Sequence, residues 1–324
     1  MSAAALELFP DTPPAREELA GFLAAWIPAQ DGLPWARRLA HWWTQNPAAA
    51  TNPVRGYWAR ENGRIVGYGG SIPAEYALEG HRLPALWATS MVTAPRHPAV
   101  AAKIFLNQRH FQHTHLICHS TPNARVQDAL VKMGARQATR VTRHFFAVGP
   151  CSMLRGRHGW PALPQDRTLV TDLARVTALA RAYQRADRIE KWVTVESLRW
   201  YCDSPMRRHH FVGLVDRHGV LDTYLLLTPR SARGIRMYDV IEAFTTQEDD
   251  APLHALLGAL VRDPGLLPGP ALALSTTTFE DDPRWRAAPA LLRRQRHLNH
   301  FFLMPEGMQT TPKHHVVAEG DWGL

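Results

Sequence analysis

The chain has 324 residues, of which 45% are hydrophobic and 20% are charged, and it carries a formal net charge of +8. This length fits one large domain or two of ordinary size, and the composition is that of a folded protein with an ample core. The positive charge favours polyanionic partners in general, and three widely spaced cysteines exclude a disulfide framework.

The first thirty residues contain four acids and no continuous apolar run. The sequence therefore predicts no signal peptide, no membrane span and, by default, a cytoplasmic location. Residues 16–43 have the apolar spacing of helices that flank a break at residues 28–34. Trp42 and Trp43, at the end of this stretch, are predicted to pack in the core.

A hairpin is predicted over residues 60–73, with Asn62 and Gly63 as its turn. An apolar run at residues 87–93 then predicts a buried strand. The proline-containing loop 95–98 interrupts this run, and the following residues have the apolar spacing of a helix. A strand that leads into a helix N-terminus directs several backbone N–H groups toward one point, which suits a phosphate group.

The pattern continues with a strand at residues 115–120, a helix at 124–133 that ends at Gly134, and a strand at 141–148. Four histidines and Cys118 lie within residues 109–120. This run passes from a helix end into a strand, where side chains alternate between faces, so we predict no metal site there. Cys118 is predicted to be a small buried hydrophobic residue.

This succession of elements resembles the GNAT N-acetyltransferase superfamily. The resemblance rests on residues at characteristic points of the loops and helices: Val92, Arg96, Ser120, Pro122, Asn123, Lys132 and Gly134. It implies an α/β fold, a mixed twisted sheet flanked by helices, and acyl transfer from acetyl-CoA or a related thioester to a small-molecule amine. It also makes an acceptor groove the alternative location for Trp42 or Trp43.

The resemblance further implies where the acyl-CoA would bind. The implied cofactor-binding residues follow the strand and the loop after it: Met91, Val92, Thr93, Arg96, His97, Ala99, Val100 and Ala101, with Asn123 near the pantetheine arm. Ala99 replaces the first glycine of the family's loop, and Pro98 removes one backbone donor. The sequence thus predicts weak binding of CoA.

The proton-transfer groups of the family are missing from their usual positions. Leu130 occupies the position of a tyrosine that often acts as general acid, and residues 87–93 contain no carboxylate. His119, at the end of the strand nearest the implied thioester, is therefore the candidate in the first half. A hydrogen-bonded structural histidine is the alternative.

Residues 149–168 are rich in Gly, Pro, Arg and His, and they predict a linker between domains at 1–148 and 169–324. The second half repeats residues of the first at offsets of 156 to 158: Trp43 and Trp200, Pro47 and Pro205, Gly63 and Gly219, Tyr68 and Tyr224, Pro73 and Pro229, and Phe145-Phe146 and Phe301-Phe302. We therefore predict two units of one fold, with a chance alignment as the alternative.

The second unit is predicted to contain a hairpin at 211–229, strands at 236–245, 271–277 and 300–304, and helices at 253–261 and 284–296. Its loop at 246–250 carries three adjacent acids, which would repel a pyrophosphate, so the donor site is predicted in the first half. Asp239 and Glu242 are catalytic candidates because a carboxylate with a raised pKa can deprotonate an amine. Structural acids are the alternative at both positions.

The distinctive tail, residues 319–324, is predicted to dock through Trp322 and to bring Asp321 near the cleft between the domains. The basic clusters 207–210 and 293–297 lack interleaved aromatic residues, so nucleic acid is not the expected partner. Two alternatives to an acetyltransferase remain. One is a non-catalytic binding or scaffold protein, and the other is an acyl or aminoacyl transferase with a carrier other than CoA. The sequence specifies neither the acceptor nor the oligomeric state.

Overall fold

A computed structural model describes residues 4–28, 32–78, 81–120, 122–149, 159–180, 189–246, 250–279, 285 and 287–308. The predicted docking of the tail, with Asp321 and Trp322, lies outside these residues. So do Cys151, residues 150–158 of the predicted linker and residues 247–249 of the acidic loop.

The first half of the chain forms the predicted succession of elements. Its strands and helices are β1 (Ala5–Leu8), α1 (Pro13–Trp26), α2 (Trp35–Leu39), β2 (Gly56–Glu61), β3 (Arg64–Leu78), β4 (His81–Thr93), α3 (Pro98–Gln108), β5 (Leu116–His119), α4 (Ala124–Lys132) and β6 (Arg136–Ala147). A turn of π-helix, Ala40–Thr44, continues α2. The hairpin, the interrupted strand and the helices predicted around them are confirmed.

Local sequence explains three of these boundaries. Asn62 and Gly63 both have positive φ, 50° and 80°, as a two-residue hairpin turn of type I′ requires. The Asn123 side chain caps α4 by accepting a hydrogen bond from the Val126 backbone N–H at 3.1 Å. Gly134, with a φ of 78°, lies just beyond the same helix.

The second half has the same order of hairpin, strand, helix and strand. Its elements are β7 (Thr168–Val170), β8 (Ala178–Leu179), β9 (Glu190–Lys191), α5 (Val195–Cys202), β10 (His210–Val215), β11 (Val220–Ala232), β12 (Ile235–Thr245), α6 (Ala251–Arg262), β13 (Ala273–Phe279) and β14 (Leu292–Leu303). Gly219, with a φ of 79°, lies in the β10–β11 turn, as Gly63 lies in the β2–β3 turn.

The helix predicted over residues 284–296 is wrong, because residues 292–296 belong to strand β14. Arginine, glutamine and leucine favour helices by intrinsic propensity, and this segment is rich in them. Hydrogen bonding to neighbouring strands overrides that preference, since β14 pairs with β6 along its length and with β5 at its end. The strand predicted at 300–304 is the second half of β14.

The strands of the described residues form one mixed sheet in the order β1-β2-β3-β4-β5-β14-β6-β13-β12-β11-β10-β7, and outside this order β8 pairs with β11 and β9 with β3. In each half one parallel pair is joined through a helix: β4 with β5 through α3, and β12 with β13 through α6. The last strands are exchanged between the halves. Strand β6 pairs with β13, and β14 inserts between β5 and β6, so each half completes the sheet of the other.

Apolar side chains cover both faces of this sheet. The largest cluster joins α1 and α2 to α5 and to strands of both halves, and it includes Trp42 and Trp43, exposed by only 4% and 2%. The Trp43 indole N–H donates to the Ser71 carbonyl at 3.1 Å. Their prediction as core residues is confirmed. No helix in the described part of the chain is both long and apolar enough to cross a membrane.

Candidate active site

Strands β4 and β5 part in the middle of the sheet and leave a notch between them. Their parallel pairing covers three residue pairs and ends at Trp87 and Cys118. Beyond that point β4 continues to Thr93 against β3 only, while β5 ends at His119 and pairs with β14. The edge of β4 at residues 89–93 therefore faces an opening instead of a neighbouring strand.

A bulge bends β4 at this opening. Ser90 has a φ of 49°, which is uncommon for a residue with a side chain. The register with β3 shifts at the same place, so that Tyr68 pairs with Val92 and Gly70 with Thr89. A residue held in such a conformation costs on the order of 1–3 kcal/mol, and such residues cluster at functional sites. The bulge redirects the backbone at the mouth of the notch.

The loop predicted to hold phosphates follows β4 directly, but few of its backbone donors are available. The His97 N–H donates to the Ala94 carbonyl at 2.9 Å, and the Val100 N–H donates to the His97 carbonyl at 3.0 Å. Pro98 has no N–H group. In addition, a carboxylate oxygen of Glu61 lies 3.6 Å from His97 Nε2. This loop fits a pyrophosphate poorly, as the substitutions in the sequence indicate.

The predicted cofactor-binding residues are otherwise brought to one end of the sheet. Met91, Val92 and Thr93 are the last residues of β4. The loop that contains Arg96 follows, and α3 then begins with Ala99 to Ala101 in its first turn. Asn123 caps α4, so its side-chain oxygen is already engaged.

His119 lies at the end of β5 on the side of the sheet that α3 covers. It is exposed by 8%, and its ring is tilted against Phe105 with a centroid separation of 5.9 Å. Burial lowers the pKa of His119 to about 4. The imidazole is therefore neutral near pH 7, and it is a weaker base than an exposed imidazole.

A lysine from the second half lies beside Trp87, at the point where β4 and β5 part. Strand β9 pairs with β3, which places Lys191 against the first half. Its ammonium lies 5.4 Å from the ring centroid of Trp87, the last residue of β4 that pairs with β5. Lys191 Nζ donates to the Tyr201 hydroxyl at 2.7 Å and forms an ion pair with Glu242.

Glu242 is a buried partner of this lysine. It is exposed by 3%, and its second carboxylate oxygen accepts a hydrogen bond from the Tyr224 hydroxyl. The ion pair therefore links β12 of the second half to β9, which lies against the first half. One predicted catalytic residue, Glu242, is thus connected through Lys191 to Trp87 at the notch, and it does not lie next to His119.

A cavity of about 190 Å³ lies beside Lys191. Its walls are aromatic and charged, and they include Trp87, Trp192, Trp200, Tyr201 and Glu75. The indole N–H of Trp87 donates to the Tyr76 hydroxyl at 3.2 Å, which fixes the orientation of this wall. A volume of this size exceeds that of a few water molecules and accommodates a small organic group.

The corresponding opening in the second half is closed by polar side chains. Pairing of β12 with β13 ends at Asp239 and Ser275, and there the Ser275 hydroxyl donates to Asp239 at 2.6 Å. Arg143 from the exchanged strand β6 forms an ion pair with Asp239 and donates to Ser275 at 3.0 Å. Arg230 contacts the same carboxylate at 3.2 Å. This arrangement favours the structural alternative for Asp239.

No group of three or more histidine, cysteine or acidic side chains that could hold a metal ion occurs among the residues that the structure describes. Lys191 was not indicated by the sequence, because it lies in a two-residue strand with no motif around it. The pairing of β9 with β3 and the contact with Trp87 show its relation to the notch.

No protein-family model and no curated protein matches this sequence. Solved structures do resemble the fold. A probable N-acyltransferase from Enterococcus faecalis V583 is 10% identical with a TM-score of 0.58, over 93% of this chain and 72% of that one. A GCN5-related N-acetyltransferase from Kribbella flavida is 12% identical with a TM-score of 0.56, over 92% and 71%.

A third similar structure is that of Saccharomyces cerevisiae N-myristoyltransferase with bound myristoyl-CoA. It is 11% identical with a TM-score of 0.51, over 96% of this chain and 85% of that one. Identities this low establish a shared fold and leave the chemistry to be argued from the site.

Proposed function

We propose that this chain, which has the GNAT fold, is an acyltransferase that moves an acyl group from a thioester to an amine in the notch between β4 and β5. The observation that carries the proposal is the parting of these strands at Trp87 and Cys118, with the bulge at Ser90 beside it. An extended thioester arm can lie along the edge of β4, where backbone groups of residues 89–93 face the notch.

The acceptor amine enters the cavity beside Lys191. Aromatic walls from Trp87, Trp200 and Tyr201 suit the apolar part of a small amine. Glu75 also lines the cavity, where it forms an ion pair with Arg82. The cavity adjoins the last paired residue of β4, so an amine in it would approach the thioester from the side opposite His119.

The reaction then needs one proton to move from nitrogen to sulfur. The neutral amine nitrogen attacks the thioester carbonyl, and a β4 backbone N–H stabilises the developing negative charge on oxygen. As the C–S bond breaks, the Lys191 ammonium donates a proton to the leaving sulfur. The neutral Lys191 amine then takes the proton that the acylated nitrogen releases, which restores the ammonium.

Glu242 has a positioning role in this scheme. Its carboxylate holds Lys191 in place and stabilises the ammonium between turnovers, since it forms an ion pair with Nζ and lies outside the cavity lining. His119 remains a prediction as a proton acceptor, and its low pKa is inconsistent with a general acid near pH 7.

Replacement of Lys191 by methionine tests the proposal. Thiol release from acetyl-CoA and from longer acyl thioesters is measured with a panel of small amines. The Lys191→Met protein is expected to lose at least about a hundredfold in kcat, the usual lower range for a general acid–base group. Lys103→Met, which removes an exposed lysine from α3, is the control and keeps its kcat. A folded Lys191→Met protein with the parent kcat would refute the assignment.

A second candidate is the same transfer from a carrier other than CoA. It is favoured by the engaged N–H groups of His97 and Val100 and by Glu61 beside the loop. Acetyl-CoA and acetyl-pantetheine, which lacks the nucleotide and its phosphates, distinguish the two. Values of kcat/KM within about threefold of each other would indicate that the loop contributes little to donor binding. A preference of a hundredfold or more for acetyl-CoA, about 2.7 kcal/mol, would assign a phosphate site to it.

A further inference from the structure

The walls of the cavity beside Lys191 are largely flat and apolar. Four aromatic side chains line it, and pairs of proline and alanine residues at 47–48 and 73–74 add to the apolar surface. The aromatic residues are Trp87, Trp192, Trp200 and Tyr201. The cavity volume of about 190 Å³ is somewhat larger than that of an apolar protein cavity of about 150 Å³ that binds benzene. It therefore accommodates one six-membered ring with a small substituent.

Two cations of the protein already lie against these rings. Lys191 Nζ is 5.4 Å from the ring centroid of Trp87 and 4.1 Å from that of Tyr201. The guanidinium of Arg82 lies 4.9 Å from the ring centroid of Trp192. The attraction of an aromatic ring for a cation is thus met from within the protein at three of the four rings. A cationic ligand would in addition meet two like charges at short range.

The charges around the cavity are also paired within the protein. Lys191 forms its ion pair with Glu242, and Arg82 lies 3.6 Å from the carboxylate of Glu75. Glu196, the other acid in the described lining, is exposed, so water and salt screen its charge. A cationic ligand would therefore leave water without a buried acid of its own, which costs free energy, whereas a neutral ring leaves the existing ion pairs intact.

The transfer proposed for the notch requires a neutral nitrogen when the attack begins. An alkylamine such as the side chain of lysine has a pKa of about 10.4, so it is almost fully protonated near pH 7. In an arylamine the ring delocalises the lone pair of the nitrogen, and the amine is neutral at this pH. Lys191 is an ammonium in its ion pair and has no lone pair with which to deprotonate an acceptor before the attack. An arylamine needs no such step.

We infer that the acceptor is a neutral aromatic amine with a single ring. This inference rests on the proposed function and names the substrate class of the same site. The amine nitrogen forms a bond to the acyl carbon as the bond from that carbon to sulfur breaks. Lys191 gives a proton to the sulfur and regains one from the nitrogen, so the products are an N-aryl amide and a free thiol.

Aniline and cyclohexylamine separate a neutral aromatic ligand from a cation with a ring of similar size. Their dissociation constants are measured near pH 7 by saturation-transfer NMR titration of the parent protein. Aniline is expected to bind at least about tenfold more tightly, because the cation lacks a buried partner. Ala48→Leu, which fills part of the cavity, should weaken aniline binding at least about tenfold. Ala50→Leu adds the same side chain at an exposed position of the same helical turn and should change it no more than about twofold.

Binding decides the inference, and turnover decides the proposed function. The inference is overturned if the parent prefers aniline by less than about tenfold, or if a folded Ala48→Leu protein binds aniline as the parent does. Should Ala48→Leu fail to fold, the preference of the parent decides alone. Selective binding of aniline without thiol release from any amine would support the aromatic site and refute the acyltransferase. Faster thiol release with cyclohexylamine than with aniline, lost in Lys191→Met, would overturn the inference and support the acyltransferase.

Discussion

The ion pair between Lys191 and Glu242 allows a quantitative test of how the two halves are joined. The Lys191 side chain is exposed by 12% and that of Glu242 by 3%, so both charges are largely withdrawn from water. Replacing Glu242 by leucine leaves the ammonium and the Tyr224 hydroxyl without the carboxylate that accepts from both. Loss of one partner from a buried pair costs about 3–5 kcal/mol, and we expect the lower end because Lys191 retains Tyr201.

The double variant Lys191→Met/Glu242→Leu should be more stable than Glu242→Leu alone. Removing both charges avoids an uncompensated buried ion, and apolar replacements of similar volume are often neutral. We therefore expect the free energy of unfolding of the double variant to lie within about 1–2 kcal/mol of that of the parent. Urea unfolding of the parent, both single variants and the double variant, followed by circular dichroism, gives the four free energies of the cycle.

The size of the coupling energy decides the outcome. If the effects of the two single variants add to give that of the double variant, the side chains do not interact. A loss of less than about 1 kcal/mol in Glu242→Leu would likewise show that the carboxylate is not buried against the ammonium. Either result would remove the support of Lys191 on which the proposed chemistry depends.

Three further predictions concern the notch and its surroundings. His119 has a pKa of about 4 in the folded protein and about 6.5 in the unfolded chain. As the pH falls from 6.5 to 4, the free energy of unfolding of the parent should therefore decrease by about 3 kcal/mol, a decrease that His119→Gln avoids. Urea unfolding across this pH range measures the difference. Asn123→Ala should lower the free energy of unfolding by about 1 kcal/mol through loss of the α4 cap. Ser90→Gly should raise it by up to about 1 kcal/mol, measured in the same way, because glycine adopts the positive φ without strain.

Local signals account for the parts of the fold that the sequence could predict. Asn62 and Gly63 specify a type I′ turn through their own backbone preferences, and the apolar spacing of α3 and α4 indicates which face is buried. The similar positions of Gly63 and Gly219 in their hairpins agree with the order of elements in the two halves.

Long-range pairing accounts for the parts that could not be predicted. The basic segment 293–297 has helical propensity, and only its insertion between β5 and β6 makes it a strand. The same exchange of strands places Arg143 next to Asp239. The ion pair that closes the second opening therefore could not be predicted from the sequence around either residue. Lys191 is likewise defined by a partner strand more than a hundred residues away in sequence.

Hydrogen exchange of the backbone amides is the most direct test of where the donor binds. Exchange is measured by mass spectrometry on the parent protein, alone and with saturating acetyl-CoA or acetyl-pantetheine. A thioester arm along β4 predicts slower exchange at residues 89–93, and the closed second opening predicts no change at residues 240–245. Protection at 240–245, or no protection at 89–93 with either donor, would contradict a donor site in the first notch.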